Sequence, residues 1–273
     1  MPVASSHPLH YSIHSRLRLA RLQRLLPETT GGGRLLDVGC GLGYLSEMLG
    51  RGYQCVGVDY DMASLEANQK REIGRMVRGR VDRLAFRDAS FDLIVCSEVL
   101  EHLPQGLDAA VMKEMARVLK PGGRILITVP ALEGIRATSR LRNLGHDDPN
   151  GGEYHFRMGY SKEELEALFM TLPLEVHYHG FSMVIFSELA MDLLKWVYFK
   201  KNALKEHADI MGVQSSLLFR LYRTLFPLLH FFFVVEDILL ASWINGHIHI
   251  LCLTSYLPTE FAGNRVGVEC KKE

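Results

Sequence analysis

A short stretch near residue 40 combines residue types that bind a small charged ligand. In L-L-D-V-G-C-G-L-G-Y-L, residues 35–45, the acid Asp37 is followed by Gly39, Gly41 and Gly43. Glycine lets the backbone turn tightly and lets a ligand approach where a Cβ would clash, and the next helix directs its N-terminus to the same place. The third glycine comes one residue too early for the G-x-G-x-x-G of a dinucleotide site. A carboxylate before the loop repels a pyrophosphate and suits a ligand with an ammonium group.

A second carboxylate follows the next predicted strand. The segment V-G-V-D, residues 56–59, ends in Asp59, which lies 22 residues after Asp37. An acid at this strand end can accept hydrogen bonds from the hydroxyls of a ribose. Either acid alone is about as often a loop-capping residue, but the pair, at this spacing and with each acid at a strand end, is a far more specific signal of a binding site.

Alternating strands and helices must position these two acids, and residues 34–130 have that pattern. Apolar runs predict strands at 34–38, 54–58, 91–96 and 124–129. Helices are predicted between them at 42–49, 62–73 and 107–119, and Pro121-Gly122-Gly123 ends the last of these. Strands separated by such helices form βαβ units and a parallel sheet.

The flanking segments predict fewer elements. Residues 131–160 are loop-like, and a capping box of Ser161 and Glu164 opens a helix predicted at 161–172. Strands are predicted at 174–179 and 247–254. Before the first strand, a helix with Leu19, Leu22 and Leu26 on one face is favoured over an organellar transit peptide.

The last third of the chain is rich in Leu, Phe, Val and Met. Two of its stretches, 181–199 and 217–240, are dense in these residues. The longest charge-free part of the second, 224–235, contains a proline and is too short to span a bilayer about 30 Å thick. Phe231, Phe232 and Phe233 cannot all lie on one face of a helix. A helical cap on the sheet, a pocket for a long apolar acceptor, a membrane-interface contact and a homodimer interface all explain this segment. The membrane interpretation adds the basic residues Lys195, Lys200, Lys201 and Lys205.

Composition limits the partners and the compartment. The 273 residues include 31 basic and 31 acidic side chains, so the net charge is zero and the chain lacks the overall basic surplus that is usual in nucleic-acid binders. The hydrophobic share of 48% and the charged share of 23% are typical of a globular protein. Five widely spaced cysteines without a C-x-x-C pair indicate a reducing compartment. We expect a cytoplasmic protein, with membrane association as the alternative.

Four blocks of sequence together resemble one enzyme family. They are D-V-G-C-G-L-G, V-G-V-D, L-A-F-R-D-A-S-F-D-L-I-V-C-S-E-V-L-E-H-L and L-K-P-G-G-R-I-L-I-T-V-P, and they cover about a third of the chain. In their order and spacing they are similar to the class I S-adenosylmethionine-dependent methyltransferases, in particular the quinone-biosynthesis group. The resemblance implies a doubly wound, mostly parallel seven-stranded α/β sheet of Rossmann-like type, with a hydrophobic helical insertion before the last strand. The expected divisions are a helical cap (1–33), the cofactor-binding core (34–180), the insertion (181–240), and the final strand with a tail (241–273).

The resemblance also implies S-adenosylmethionine as the cofactor. Asp37 and the glycine loop would hold its methionine part and Asp59 its ribose, while Ser97 would form the floor of the reaction site. The full set of expected cofactor-binding residues is Asp37, Gly39, Cys40, Gly41, Gly43, Asp59, Tyr60, Val81, Asp82 and Ser97.

One position departs from the family pattern. Where the family usually has an acid that contacts the adenine amino group, this chain has Arg80, and Arg80 cannot accept a hydrogen bond. Either Asp82 takes that role, or main-chain and apolar contacts hold the adenine. We expect weaker cofactor binding, not its loss.

The resemblance points to methyl transfer to a small-molecule or lipid-like acceptor, with oxygen preferred over carbon. His102 is the candidate general base, and a structural histidine in a turn is the plain alternative. Glu98, Glu101 and His102, with His155, also have the spacing of metal-dependent relatives, so a divalent metal is a less favoured addition. The alternative functions are a metal-dependent RNA ribose 2′-O-methyltransferase and a non-catalytic partner protein.

Overall fold

The computed structural model describes residues 13–26, 32–50, 52–132, 156–170, 172–182, 217–240 and 248–255. The chain divides into two compact units. One comprises Leu22–Leu132, Gly145–Gly180 and Ile248–Glu273, and the other comprises Met1–Arg21, Glu133–Leu144 and Phe181–His247. The domain boundaries expected from the sequence stay a prediction.

Seven strands form one sheet. They are β1 (Gly33–Val38), β2 (Tyr53–Asp59), β3 (Arg75–Arg78), β4 (Phe91–Ser97), β5 (Leu119–Pro130), β6 (Leu174–Ser182) and β7 (Ile248–Ser255). Their spatial order is β3-β2-β1-β4-β5-β7-β6. The pairs β1–β2, β1–β4, β2–β3 and β4–β5 are parallel, whereas β7 runs antiparallel to β5. The predicted mostly parallel seven-stranded α/β sheet is confirmed.

Six helices lie within the described residues of the two units. They are α1 (Ile13–Arg24), α2 (Tyr44–Leu49), α3 (Met62–Lys70), α4 (Leu107–Val118), α5 (Lys162–Phe169) and α6 (Leu217–Leu240), and a short 3₁₀ turn covers Leu100–His102. Helix α2 begins two residues later than predicted because Gly43, with φ 72°, is left-handed. Helix α3 ends at Lys70, where the Arg71 N–H turns back to the Asn68 and Gln69 carbonyls.

Two features of the sheet differ from the sequence prediction. Pro121-Gly122-Gly123 does follow the end of α4, but it lies inside β5, which begins at Leu119 and not at Arg124. The pairing register between β4 and β5 shifts between Phe91 and Leu93, which accommodates this segment. Strand β3 was missed because its four residues, R-M-V-R, are too few and too polar to form an apolar run.

The core lies where β4 and β5 pack against α4. Ile94, Ile127 and Met112 are among its fully buried members. Strand β4 is buried at five of its seven positions, as its continuous apolar run predicts. The two half-buried positions are Asp92 and Ser97. Asp92 accepts hydrogen bonds from the Arg34 N–H and from Lys120 Nζ, each at 2.8 Å.

Helix α6 belongs to the second unit, and its neighbouring aromatic side chains differ in exposure. Phe231 and Phe232 are 62% and 58% exposed, whereas Phe233 is 6% exposed, so the three rings do face different ways. None of the described helices is both long and apolar enough to cross a membrane. The four lysines of the membrane interpretation lie outside the described residues.

The N-terminal helix is present over Ile13–Arg24, as predicted. Leu19 and Leu22 are buried, whereas Leu26 follows the helix and is half-buried.

The capping box of α5 gives a direct test of the local folding. Ser161 Oγ accepts from the Glu164 N–H, and the Glu164 carboxylate accepts from the Ser161 N–H. We expect Ser161→Ala to lower the free energy of unfolding by about 1 kcal/mol, because one helix N–H loses its acceptor. Ser161→Asp keeps an acceptor for this N–H, so its free energy of unfolding should lie within about 0.3 kcal/mol of the wild-type value. Urea denaturation measures both, and equal losses in the two variants would contradict this role.

Candidate functional site

The parallel strands end at one edge of the sheet and bring the predicted residues together. Val38 of β1 is in register with Val58 of β2 and with Cys96 of β4. The next residue of each strand is therefore at the same edge: Gly39, Asp59 and Ser97. Carboxyl ends of parallel strands are where ligands bind in open α/β sheets.

The three glycines of the loop differ in what surrounds them. Gly39, Gly41 and Gly43 have φ of 68°, 45° and 72°, which disfavours any other residue. A Cβ on Gly39 would lie 2.5 Å from Val99 Cγ2, and one on Gly43 would lie 2.8 Å from Asn68 Oδ1. A Cβ on Gly41 meets no atom within 4 Å. The loop is thus packed at its two ends and has open space at its centre.

Hydrogen bonds fix the centre of this loop on both sides. The Gly41 N–H donates to Asp59 Oδ2 at 2.7 Å, and Asn68 Nδ2 donates to the Gly41 carbonyl at 2.7 Å. The Gly39 and Cys40 N–H groups both donate to the Val58 carbonyl. Asn68 was not found from the sequence. The sequence feature that could have indicated it is its position three residues after Leu65, which puts the amide on the buried face of α3.

Asp37 is a buried charge beside the loop. Its exposed fraction is 3%, and it accepts a hydrogen bond of 2.5 Å from Ser46 Oγ. Burial raises the pKa of Asp37 to about 6; Ser46 opposes this rise and the Asp59 carboxylate adds to it. Ionised Asp37 is therefore destabilised at neutral pH, and a cation bound nearby would relieve that destabilisation.

Asp59 uses both carboxylate oxygens within the protein. Besides Gly41, it accepts from the Asp61 N–H through Oδ1 at 2.9 Å. Tyr60 follows it and is 69% exposed, with the Arg78 guanidinium 5.3 Å from its ring centroid. A flat, exposed aromatic ring thus stands at the end of β2.

Arg80 and Asp82 form a two-pronged ion pair after β3. Arg80 Nε and Nη2 donate to the two Asp82 oxygens at 2.9 and 2.6 Å. The Arg80 hydrogen bond holds the pKa of Asp82 below its usual value. Val81 between them is half-buried and packs against the core. The Asp82 carboxylate and the apolar Val81 side chain thus lie next to Arg80, the position where the family usually has an acid.

Ser97 heads a short chain of hydroxyl groups at the end of β4. Its Oγ lies 2.7 Å from Thr128 Oγ1, which donates to Glu98 Oε1 at 2.9 Å. Glu98 has a left-handed φ of 55°, and its N–H donates to the Thr128 carbonyl at 2.9 Å. Thr128 is fully buried in β5 and was not found from the sequence, where it reads as one residue of an apolar strand.

His102 ends the 3₁₀ turn that follows β4. Its Nε2 is 4.0 Å from Glu101 Oε1, and the Glu101 side chain is 1% exposed. The Phe156 N–H donates to the Glu101 carbonyl at 2.9 Å, and Tyr160 Oη donates to the Leu100 carbonyl at 3.2 Å. The segment around residues 156–160 thus fixes the turn that carries His102.

The metal hypothesis gains no support from the described part of the chain. Within it, no group of three or more His, Cys, Asp and Glu side chains is arranged to hold a metal ion. Glu98 accepts from Thr128, and Glu101 is buried. His155, the fourth candidate ligand, lies outside the described residues. The metal therefore stays a hypothesis.

Comparisons with known proteins identify the family. Residues 36–127 match the family described as a methyltransferase domain. A ubiquinone biosynthesis O-methyltransferase of Xanthomonas campestris pv. campestris (strain B100) is 32% identical over 183 residues, which are 62% of this chain and 72% of that protein. The chain belongs to the class I S-adenosylmethionine-dependent methyltransferases.

Other relatives match this chain over less of their own length. A ubiquinone biosynthesis O-methyltransferase of Idiomarina loihiensis is 38% identical over 136 residues, 46% of this chain and 53% of that protein. The chain thus spans about half the length of several curated relatives that it matches.

Similar solved structures support the fold and carry no further conclusion. An S-adenosylmethionine-dependent methyltransferase from Archaeoglobus fulgidus has a TM-score of 0.55 at 16% identity, covering 88% of this chain and 93% of its own. The cyclase SpnF has a TM-score of 0.55 at 19% identity, covering 88% and 80%. A cyclase and a methyltransferase thus share this fold, so the fold alone does not determine the reaction.

The pKa of Asp37 predicts an unusual pH dependence of stability. Because it is raised in the folded state, this group binds more protons there than in the unfolded chain, and its contribution to stability falls as pH rises from about 4 to 6. Relative to wild type, Asp37→Asn should therefore gain up to about 3 kcal/mol of unfolding free energy between about pH 4 and pH 7.5. Urea denaturation across this range measures the difference.

Asp92→Asn is the matched control, because its expected sign is opposite. Burial favours protonation of Asp92, but the Arg34 N–H and the Lys120 ammonium outweigh it and hold the pKa of Asp92 below its usual value. That variant should lose stability relative to wild type as pH rises. A flat difference for Asp37→Asn would show that this carboxyl titrates normally.

Proposed function

We propose that this chain transfers a methyl group from S-adenosylmethionine to an oxygen atom of a small-molecule or lipid-like acceptor. The observation that carries the proposal is the glycine loop, which is open at Gly41 and lies between two carboxylates, Asp37 and Asp59. Family membership and the O-methyltransferase relatives support it.

The residues at the loop fit this cofactor. S-adenosylmethionine carries an ammonium and a sulfonium group, and buried Asp37 is a negative charge that a cation would stabilise. We assign the ribose hydroxyls to Asp59 at the end of β2, and exposed Tyr60 offers an aromatic surface beside it. Cys40, Val81, Asp82 and Ser97 complete the proposed cofactor site.

The protein needs few chemical groups for this reaction. When bound, the cofactor supplies a methyl group on sulfur that is already a strong electrophile. The chain must align the acceptor oxygen with that methyl group and remove the acceptor proton. We assign the proton to His102, where the buried Glu101 carboxylate, 4.0 Å from Nε2, would stabilise the imidazolium that forms.

Apolar side chains beside His102 favour an acceptor with apolar surface. Phe156 and Met158 are 52% and 48% exposed, and Phe156 is hydrogen-bonded through its N–H to the residue before His102. Leu132, 46% exposed, is linked to the same segment through its N–H and the Tyr160 carbonyl. The relatives named ubiquinone biosynthesis O-methyltransferases favour a phenolic quinone precursor.

Neither alternative function gains an observation. A net charge of zero disfavours an RNA acceptor, and the pre-formed glycine loop disfavours a non-catalytic partner. Cytoplasmic location, peripheral membrane contact and a homodimer stay predictions from composition and from the hydrophobic insertion.

The experiment follows label from methyl-labelled S-adenosylmethionine into a panel of phenols and catechols. We expect His102→Ala to lower kcat by about 10²- to 10⁴-fold, because the acceptor hydroxyl loses its base. Affinity for S-adenosylhomocysteine should stay within about twofold of wild type, since His102 is not assigned to the cofactor.

His177→Ala is the control, because this exposed histidine on β6 lies outside the proposed site. It should leave kcat unchanged. Wild-type kcat in His102→Ala would refute the assignment of the base, and no transfer to any phenol would count against the acceptor class. The same assay in EDTA tests the metal: lost activity that Mg²⁺ restores would establish it.

A further inference from the structure

A buried amide on α3 grips the glycine loop from the side opposite Asp59. Asn68 has no exposed surface, and its Nδ2 donates to the Gly41 carbonyl at 2.7 Å. Burying an amide is unfavourable unless its hydrogen bonds are made, and Asn is a poorer helix former than Ala. Packing alone would therefore favour an apolar residue at this position.

Arg71 holds this amide in place. Its Nη2 donates to Asn68 Oδ1 at 2.8 Å and also to the Leu42 carbonyl, and its Nε reaches the Ala67 carbonyl at 3.3 Å. The bond to Oδ1 fixes which end of the amide faces the loop, so that the NH₂ group points to Gly41. Two consecutive loop carbonyls are thus bound by one pair of side chains from α3.

The same pair explains the position of the third glycine. A Cβ on Gly43 would lie 2.8 Å from Asn68 Oδ1 and 3.0 Å from Asn68 Cγ, so any larger residue would displace the amide. Gly43, the early third glycine of this loop, therefore leaves the space that the Asn68 side chain occupies. With Asp59 on its N–H and Asn68 on its carbonyl, the Gly41 residue is fixed from two elements.

We propose that Asn68 and Arg71 are positioning residues that hold the glycine loop in the conformation that binds the cofactor. They act through the Gly41 and Leu42 carbonyls. Asn68 is fully buried and so does not itself touch the ligand. A loop ordered in advance leaves less conformational freedom to be lost on binding, so the affinity is higher. This inference rests on the proposed function, because it concerns the same cofactor site.

The test replaces the amide NH₂ donor of Asn68 and keeps the size of the side chain. Asn68→Asp keeps the acceptor for Arg71 but places an oxygen against the Gly41 carbonyl. We expect the calorimetric Kd for S-adenosylhomocysteine to rise about tenfold or more. We also expect the amides of residues 41–43 to exchange hydrogen faster in the cofactor-free protein, a readout that a merely stabilising residue would not move selectively. Gln69→Glu, the same chemical change at the exposed neighbouring residue, should alter neither quantity.

Arg71→Lys provides a second route if Asn68→Asp fails to fold. It keeps the charge but cannot bind the amide and the Leu42 carbonyl with one planar group, so Kd and loop exchange should both rise. Unchanged Kd and unchanged loop exchange in a folded variant would overturn the inference. Failure of wild type to bind S-adenosylhomocysteine would instead refute the proposed function, so the two failures are distinguishable.

Discussion

The site depends on how the Gly41 residue is held. Its N–H is bound by a carboxylate at the end of β2, and its carbonyl is bound by an amide from α3. Both partners are in place only because β1 and β2 pair in register and because α3 returns from the end of β2 to the loop. The register of β1 with β2, the left-handed glycines and the return of α3 thus act together on one loop. They leave it open at its centre and hydrogen-bonded on both sides of Gly41.

A second constraint is the buried charge of Asp37. A carboxylate with 3% exposure is unfavourable for the folded state at neutral pH, and burial raises its pKa to about 6. A chain selected for stability alone would place a neutral residue there. If the ligand is a cation, its binding stabilises the ionised Asp37 carboxylate and so offsets the free energy that burial of this charge costs the folded protein. Under the proposed function, stability and cofactor affinity are therefore opposed at this residue.

Much of this arrangement could be predicted from the sequence. Asp37 and Asp59 each follow a short apolar run, so their meeting at one sheet edge follows from parallel pairing alone. The capping box at Ser161 needs only local contacts, and it formed as predicted. Asn68 and Thr128 could not be predicted in this way. Their roles depend on which loop and which strand they meet across the fold, and a single buried polar residue in a helix or strand pattern does not indicate its partner. Strand β3 was missed for a related reason, since a short polar edge strand gains its pairing from β2 and not from its own pattern.

The most direct test of the account is calorimetric titration of the whole chain with S-adenosylhomocysteine, with NAD as the control ligand. We predict micromolar binding of S-adenosylhomocysteine, no binding of NAD, and loss of binding in Asp59→Ala. That variant removes both the proposed ribose acceptor and the partner of the Gly41 N–H. Binding of NAD, or no binding of S-adenosylhomocysteine by folded wild type, would contradict the assignment of the loop as a methyltransferase cofactor site.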